Sequence, residues 1–531
     1  MLPLTLLVAA LPQIQATTSG GALRFEQAVY DVQSYDVSIR ANPERKTISG
    51  VTVMTAKAVV PSNVILLDLD EPYQVSAVRD GAGKALRYER GKDTIRIWFP
   101  MTKQVGEEIK TSVEYAGSPR VAPNPPWIGG FMWSKTPSGA PWISVALQMD
   151  GADLLYPCKD HPSDKPSMAA MHITVPDPLI AVGPGKFEGS RKNSDGTSTY
   201  DWKMTNPIPN YSIVFNAAPY KLVEDTAKSV AGGTIPIKFY VLPEDAAKAP
   251  LLLLELKKYL AFMEKYVGPY PFRSQKLGLV ETPHLGMEHS TAIAYGNQFR
   301  FGADGLDWLL LHEFGHEWWA NLVTASDWRD FWIHEGFQTY MDTLYQEHLG
   351  KPDAYFSAMR AKVRGLGNRL PVAPRAITAA NELYNGDIYD KGALVLHSLR
   401  YLIGDGAFFR SLRRMAYPTP AMEALTDGRQ TRLVTTDDFL TIAEEESGQK
   451  LGWFFDVYLR QPKLPRLVSS VSGDTLNLTW ETPDNLPFPM PADVVVDGKA
   501  TRLPMIGGKG SIHFSGAAPT IDPKGWVLRA P

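Results

Sequence analysis

His312–Phe337 reads HEFGHEWWANLVTASDWRDFWIHEGF, and it is the stretch on which the rest of the chain turns. His312 and His316 are four residues apart, so on a helix they lie on one face, one turn from each other. Two imidazoles so placed can reach one metal ion, and Glu313 between them can meet a water held beside that ion. Asp304 with Asp307 three residues on suggests a capped helix start, and Leu309, Leu310 and Leu311 carry the helix forward. Eighteen residues separate His316 from Glu335, which opens a second helical run. An antiparallel return would bring that carboxylate to the histidines, and His-His-Glu plus one open position is the usual catalytic zinc arrangement. The competing zinc-protease pattern needs Gly at 319 and a third His at 322, where this chain has Trp319 and Leu322. Taken alone, Glu335 also reads as a helix N-terminal carboxylate favoured by the dipole.

Composition bounds the alternatives. At 531 residues the chain exceeds one hydrophobic core, so two to four domains are expected. The 44% hydrophobic and 21% charged content is that of a globular protein. A formal net charge of -3 gives no sign of a nucleic-acid partner or an anionic membrane surface. The single cysteine, Cys158, excludes an intrachain disulfide and a thiolate-rich metal cluster, leaving His and carboxylate ligands. The apolar run Leu2 to Leu11, with a small-residue end at Ile14-Gln15-Ala16, reads as a signal segment over residues 1–16 and implies a periplasmic or secreted protein. No later segment has transmembrane length.

Residues 17–222 read as β-rich: Tyr35, Val37 and Ile39 alternate with polar residues, and turn signals recur at Asn42-Pro43, Asp80-Gly81 and Asp195-Gly196. The spacing suits a large antiparallel assembly, with the Pro-, Gly- and Trp-rich segment 117–142 as a long loop. Residues 223–465 mix strand and helix patterns. Ala246 to Tyr266 reads as a helix ended by Gly268-Pro269-Tyr270-Pro271, Leu277 to Val280 as a strand, and 365–388 as a long loop. Residues 466–531 return to short β runs with an Asp497-Gly498 hairpin signal.

The His312–Phe337 stretch resembles the gluzincin aminopeptidases, the aminopeptidase N and leukotriene hydrolase type. So do MEKYVGPYPFRSQKLGLVETPHLGMEHS, QMDGADLLYPCKDHPSDK, the YDKG of Tyr389 to Gly392 and LGWFFDVYLRQPKLPRL, all in the family's order over residues 30–465. The resemblance implies a multidomain α+β architecture: a β-rich N-terminal domain, a thermolysin-like α/β zinc catalytic domain and a small β C-terminal domain. It implies one Zn2+ per chain on His312, His316 and Glu335. It also implies Glu313 as general base on a metal-activated water, Tyr389 as donor to the oxyanion, and Gly286, Met287, Glu288 and Gln148 as substrate-binding residues. Glu288 would bind the free α-amino group, and the substrates would be peptides with a free N-terminus. Departures from the family are Met287-Glu288-His289 where the motif ends Met-Glu-Asn, Leu285 for its first glycine, and His334 for a common Asn. At Asp342 the family often has Glu, and by helix spacing this residue shares a face with Glu335, where it can orient a ligand histidine. Asn381 gives no reason to expect a preference for basic N-terminal residues. The stretch after Pro465 is too short for the large helical domain of many relatives. Other outcomes on the same scaffold are an epoxide hydrolase and an inactive binding protein; the intact ligands, base and tyrosine argue against the latter.

Overall fold

The computed structural model describes residues 18–530, so the apolar N-terminal run lies outside the described residues. A seven-stranded sheet dominates the first third. Its order is Lys186–Lys192, Thr197–Met204, Met168–Pro176, Tyr30–Asn42, Thr47–Ala58, Glu108–Gly117, Tyr73–Asp80. The alternation read from the sequence is the pleat of the sheet: Tyr35, Val37 and Ile39 are all buried on one face. The pairing is not wholly antiparallel, because Tyr30–Asn42 runs parallel to Met168–Pro176. The segment expected as a long loop at 117–142 contains the strand Gly130–Lys135 and the start of Pro141–Ala146, which pair with each other. Glycines and tryptophans there sit at strand ends and pairs, so composition alone misread it.

The middle region is built on a five-stranded mixed sheet ordered Lys221–Lys228, Thr234–Val241, Leu277–Glu281, Ile293–Tyr295, Gly286–Met287. The edge strand Gly286–Met287 delivers Glu288 as the chain leaves the sheet. Helix Ala249–Tyr266 ends ahead of the Gly-Pro-Tyr-Pro turn. The metal-motif helix is short, Trp308–Gly315, and its N-cap is Asp307 rather than Asp304. The Asp307 carboxylate accepts from Leu310 N at 3.1 Å, a cap worth ~1 kcal/mol. Asn297 and Tyr295 also donate to it, whereas Asp304 accepts from Gln346 on the neighbouring helix. After Gly315 the chain widens into a π-type turn, Glu317–Leu322, and helix Trp332–His348 then returns alongside. The region read as the loop 365–388 contains the short helix Ala380–Leu383 and the 3-10 turn Gly386–Ile388. The long helix Asp390–Ala416 follows, kinked at Gly404.

Two three-stranded sheets form the last part of the chain. Asp497 and Gly498 both have positive φ and make the tight hairpin between Ala492–Val496 and Lys499–Leu503. This unit docks on the long helix, where Trp526 stacks on His397 at 4.6 Å and Asp493 accepts from Tyr401 at 2.7 Å. Among the described residues no helix is long and apolar enough to cross a membrane.

Candidate active site

One close approach sets the geometry. Helices Trp332–His348 and Asp390–Ala416 cross where Gly336 meets Gly392: a Cβ on Gly336 would lie 2.9 Å from the Gly392 Cα. Any larger residue would push the helices apart. The residue before Gly336 is Glu335, and Tyr389 caps the second helix, so this crossing carries both functional groups to the histidines.

His312, His316 and Glu335 offer one ligand atom each, all within 4.8 Å of one another. The two Nε2 atoms are 3.2 Å apart, and Glu335 Oε2 lies 3.6 Å from the first and 3.4 Å from the second. Each ring is oriented from behind: His312 Nδ1 is 2.7 Å from Asp342 Oδ2, and His316 Nδ1 is 2.8 Å from the Trp319 carbonyl. A carboxylate and a carbonyl only accept, so both Nδ1 atoms hold protons and the neutral rings turn bare Nε2 lone pairs toward each other. Glu335 Oε2 is buried without a hydrogen-bond partner among the described residues. Three acceptor atoms converging with no donor between them fit a cation, and a His-His-Glu set fits zinc. The same point calls for positive charge: burial opposes charge on His316, yet Glu335 beside it lifts the imidazole to about 9, so below that pH a proton competes for the place a metal ion would take. Glu335 in turn lies well below the ordinary carboxylate range, because the two imidazoles outweigh its own burial.

Glu313 points into the same space, and burial lifts its carboxyl to about 8. Gly286 makes room for it: a Cβ there would stand 2.6 Å from Glu313 Oε1. Glu288 is buried and accepts from Gln148 Nε2 and, at 3.0 Å, from the Tyr211 hydroxyl. Burial raises its pKa above the usual carboxylate value. Met287 is buried against Met132, Ala146 and Ala294. The Tyr389 ring stacks over His312 with centroids 6.2 Å apart, and its hydroxyl lies 2.8 Å from that of Tyr384. Burial pushes the Tyr389 phenol well up, so it stays a neutral donor.

The nine residues singled out from the sequence fall into neighbouring groups: His312, His316 and Glu335 with Tyr389, Glu313 facing Gly286, and Glu288 with Gln148, Met287 joining the last two groups along the chain. Asp342 takes the orienting place its helix spacing suggested. His289, which stands where the motif has Asn, is buried with neither ring nitrogen bonded among the described residues. His334 accepts from Ala325 N at 2.9 Å and takes no part in the ligand set. Tyr211 and Tyr384 were not found from the sequence. Tyr384 lies five residues before Tyr389 and had a positional signal, but Tyr211 had none.

A helix-borne histidine pair with a returning glutamate is the ligand arrangement of a gluzincin-type zinc site. Residues 254–458 match the peptidase family M1 domain. It is similar to mouse endoplasmic reticulum aminopeptidase 1, 24% identical over 503 residues, covering 84% of this chain and 52% of that one. It is 26% identical to human aminopeptidase B over 408 residues, covering 72% and 58%. The chain spans about half the length of the curated relatives it matches. Among solved structures, the M1 zinc metallopeptidase from Deinococcus radiodurans superposes with a TM-score of 0.66 at 26% identity, covering 84% of this chain and 96% of that one. A two-domain M1 zinc metallopeptidase bound to L-tryptophan gives the same TM-score at 25% identity, again covering 84% and 96%. The fold is that of the two-domain M1 metallopeptidases.

Proposed function

We propose that this protein is a zinc-dependent aminopeptidase that removes the N-terminal residue of peptides. The observation that carries the reading is Glu288, a buried carboxylate whose bonded partners among the described residues are the neutral donors Gln148 and Tyr211, on the strand edge that packs against Glu313. With no cation among its bonded partners, it keeps a negative charge for an incoming one. A substrate α-ammonium meets that need, reverses the pKa rise caused by burial, and sets the first peptide bond beside the ligand cluster. An acylated N-terminus or an internal segment has no ammonium to offer. Support also comes from a relative: a Deinococcus radiodurans M1 zinc metallopeptidase was solved with a Tyr-Ser-Ala substrate bound.

His312, His316 and Glu335 would hold the zinc, which when bound acts as a Lewis acid that activates water and polarises the scissile carbonyl. Glu313 takes the proton from the attacking water and returns it to the leaving amine. Tyr389 donates its hydroxyl to the oxygen that gains charge, and Tyr384 can turn its own proton to the Tyr389 oxygen at the same moment. Tyr389 adds no fixed charge to the site, since burial keeps it protonated.

Zinc-loaded protein is expected to hydrolyse leucyl-anilide, to lose that activity with a chelator and regain it with zinc, and to be inactive as Glu313→Gln. Hydrolysis that survives complete metal removal, or none across a panel of aminoacyl-anilides, overturns the reading. The Leu2–Leu11 run supports export with cleavage after Ala16. N-terminal sequencing of the native protein tests this, and an intact Met1 on cytosolic protein contradicts it.

A further inference from the structure

The turn that ends the HExxH helix is a hub. Its residues Glu317–Leu322 are all buried, and the backbone departs from helical geometry at Trp319 and Ala320. Wide turns of this kind expose carbonyls that a regular helix would use, and each needs a donor. The Trp319 carbonyl takes the Nδ1 proton of His316 at 2.8 Å. Asn321 Nδ2 donates to the backbone carbonyl of Glu288 at 2.8 Å and to Glu317 Oε1 at 3.0 Å. Glu317 Oε1 also accepts from Thr291 N at 3.0 Å, which ties down the chain after Glu288. One turn thus touches both the back of a metal ligand and the backbone of the amine-binding residue.

Two further carbonyls, those of Asn321 and Leu322, are satisfied from the other side of the molecule. Lys165 lies just before the strand Met168–Pro176 of the seven-stranded sheet, and its Nζ crosses to the turn. It donates to Asn321 O at 2.7 Å, Leu322 O at 3.2 Å and Thr324 Oγ1 at 2.8 Å. Thr324 Oγ1 donates onward to Ala320 O. Burial lowers the Lys165 pKa to about 7, and as an ammonium it has three donors that all end on this one segment, just past the helix that carries His312. None of these partners is a carboxylate, so the lysine's contacts fix backbone rather than neutralise charge.

We propose that Lys165 is a positioning residue for the reaction: it pins the Glu317–Leu322 turn and thereby holds both the His316 imidazole and the Glu288 backbone in register. The inference rests on the zinc-aminopeptidase reading. The alternative is a lysine that only joins the N-terminal sheet to the catalytic region, which would change stability and nothing else.

The test uses the full chain as wild type, Lys165→Met and Lys165→Arg. It measures the zinc dissociation constant by chelator competition, KM and kcat on leucyl-anilide with saturating zinc, and the melting temperature. Lys165→Met is expected to weaken zinc binding by about tenfold, as loss of an outer-shell support does, and to raise KM several-fold. Lys165→Arg is expected to recover part of both. Unchanged zinc affinity and KM in Lys165→Met, whatever its melting temperature, overturn the proposal. Should that variant not fold, Thr324→Val removes one acceptor and leaves the lysine. It is expected to move the same constants the same way by a smaller factor, and constancy there overturns the proposal as well. Wild-type protein that takes up no zinc overturns the functional reading and this inference together, whereas zinc binding by wild type with unchanged variants overturns this inference alone.

Discussion

Gly286→Ala is the smallest change that tests how Glu313 works. A Cβ at position 286 would stand 2.6 Å from Glu313 Oε1 and 2.9 Å from both its Cδ and Cγ. Ordinary contact for such atoms begins near 3.4 Å, so the carboxylate must withdraw by about 0.8 Å. The Cγ contact means that the stem moves too, not only the carboxylate tip. A displacement near 1 Å at a group that must meet a water and then a leaving nitrogen costs about 10²-fold, close to 2.7 kcal/mol of barrier. Gly286 is not in the left-handed region, so alanine adds no backbone strain of its own. The three atoms nearest the new methyl all belong to Glu313 and none to a ligand, so zinc content should be unchanged. The assay is steady-state hydrolysis of leucyl-anilide with zinc saturating. The expected result is a kcat about 10²-fold below wild type with KM within a few-fold. A kcat within about threefold of wild type would refute the reasoning, and a rise in KM alone would place the damage at Glu288 instead.

Tyr389→Phe should keep its zinc and lower kcat by 10²- to 10³-fold, about the loss seen when an oxyanion donor is removed, and Tyr384→Phe should cost less, as read by kcat on the same substrate. Asp342→Asn leaves His312 Nδ1 facing an amide in place of a carboxylate and should weaken zinc binding by roughly 10- to 100-fold in chelator competition. His172 lies between Asp36 and Asp201, and the bond to Asp36 foremost lifts its pKa to about 9. The folded value lies above the unfolded one, so its stabilisation is complete below about 6.5 and is lost as pH rises through about 9. The melting temperature should therefore fall from pH 7 to pH 10 more steeply in wild type than in His172→Gln.

The features legible in the sequence are those written in local spacing. The histidine pair shows itself through helical periodicity, and Asp342 through its place two turns beyond Glu335. Tyr389, Glu288 and Gln148 were legible only as motif positions, since nothing about an isolated tyrosine or glutamine marks it as catalytic. The groups that long-range packing assembles were hidden. Tyr211 reaches Glu288 from a 3-10 turn 77 residues away, and Lys165 reaches Asn321 across 156 residues. The partner of His316 is a backbone carbonyl, which carries no side-chain signature at all. The role of Gly286 is a close approach, and the cap shifted from Asp304 to Asp307 because Tyr295 and Asn297 hold the later carboxylate in place. The parallel pair in the large sheet could not be read either, because alternation records burial and not strand direction.

The central claim is that Glu288 presents a peptide to the ligand cluster by its free amine. It is tested most directly by kcat/KM on leucyl-anilide and on its N-acetylated form, in wild type and in Glu288→Ala. Acetylation is expected to lower kcat/KM in wild type by at least about 10²-fold, the order of a desolvated charge pair, and Glu288→Ala to lower the free-amine value by a similar factor while leaving the acetylated value nearly unchanged. Equal cleavage of the two substrates by wild type, or a Glu288→Ala enzyme that still prefers the free amine, would contradict it.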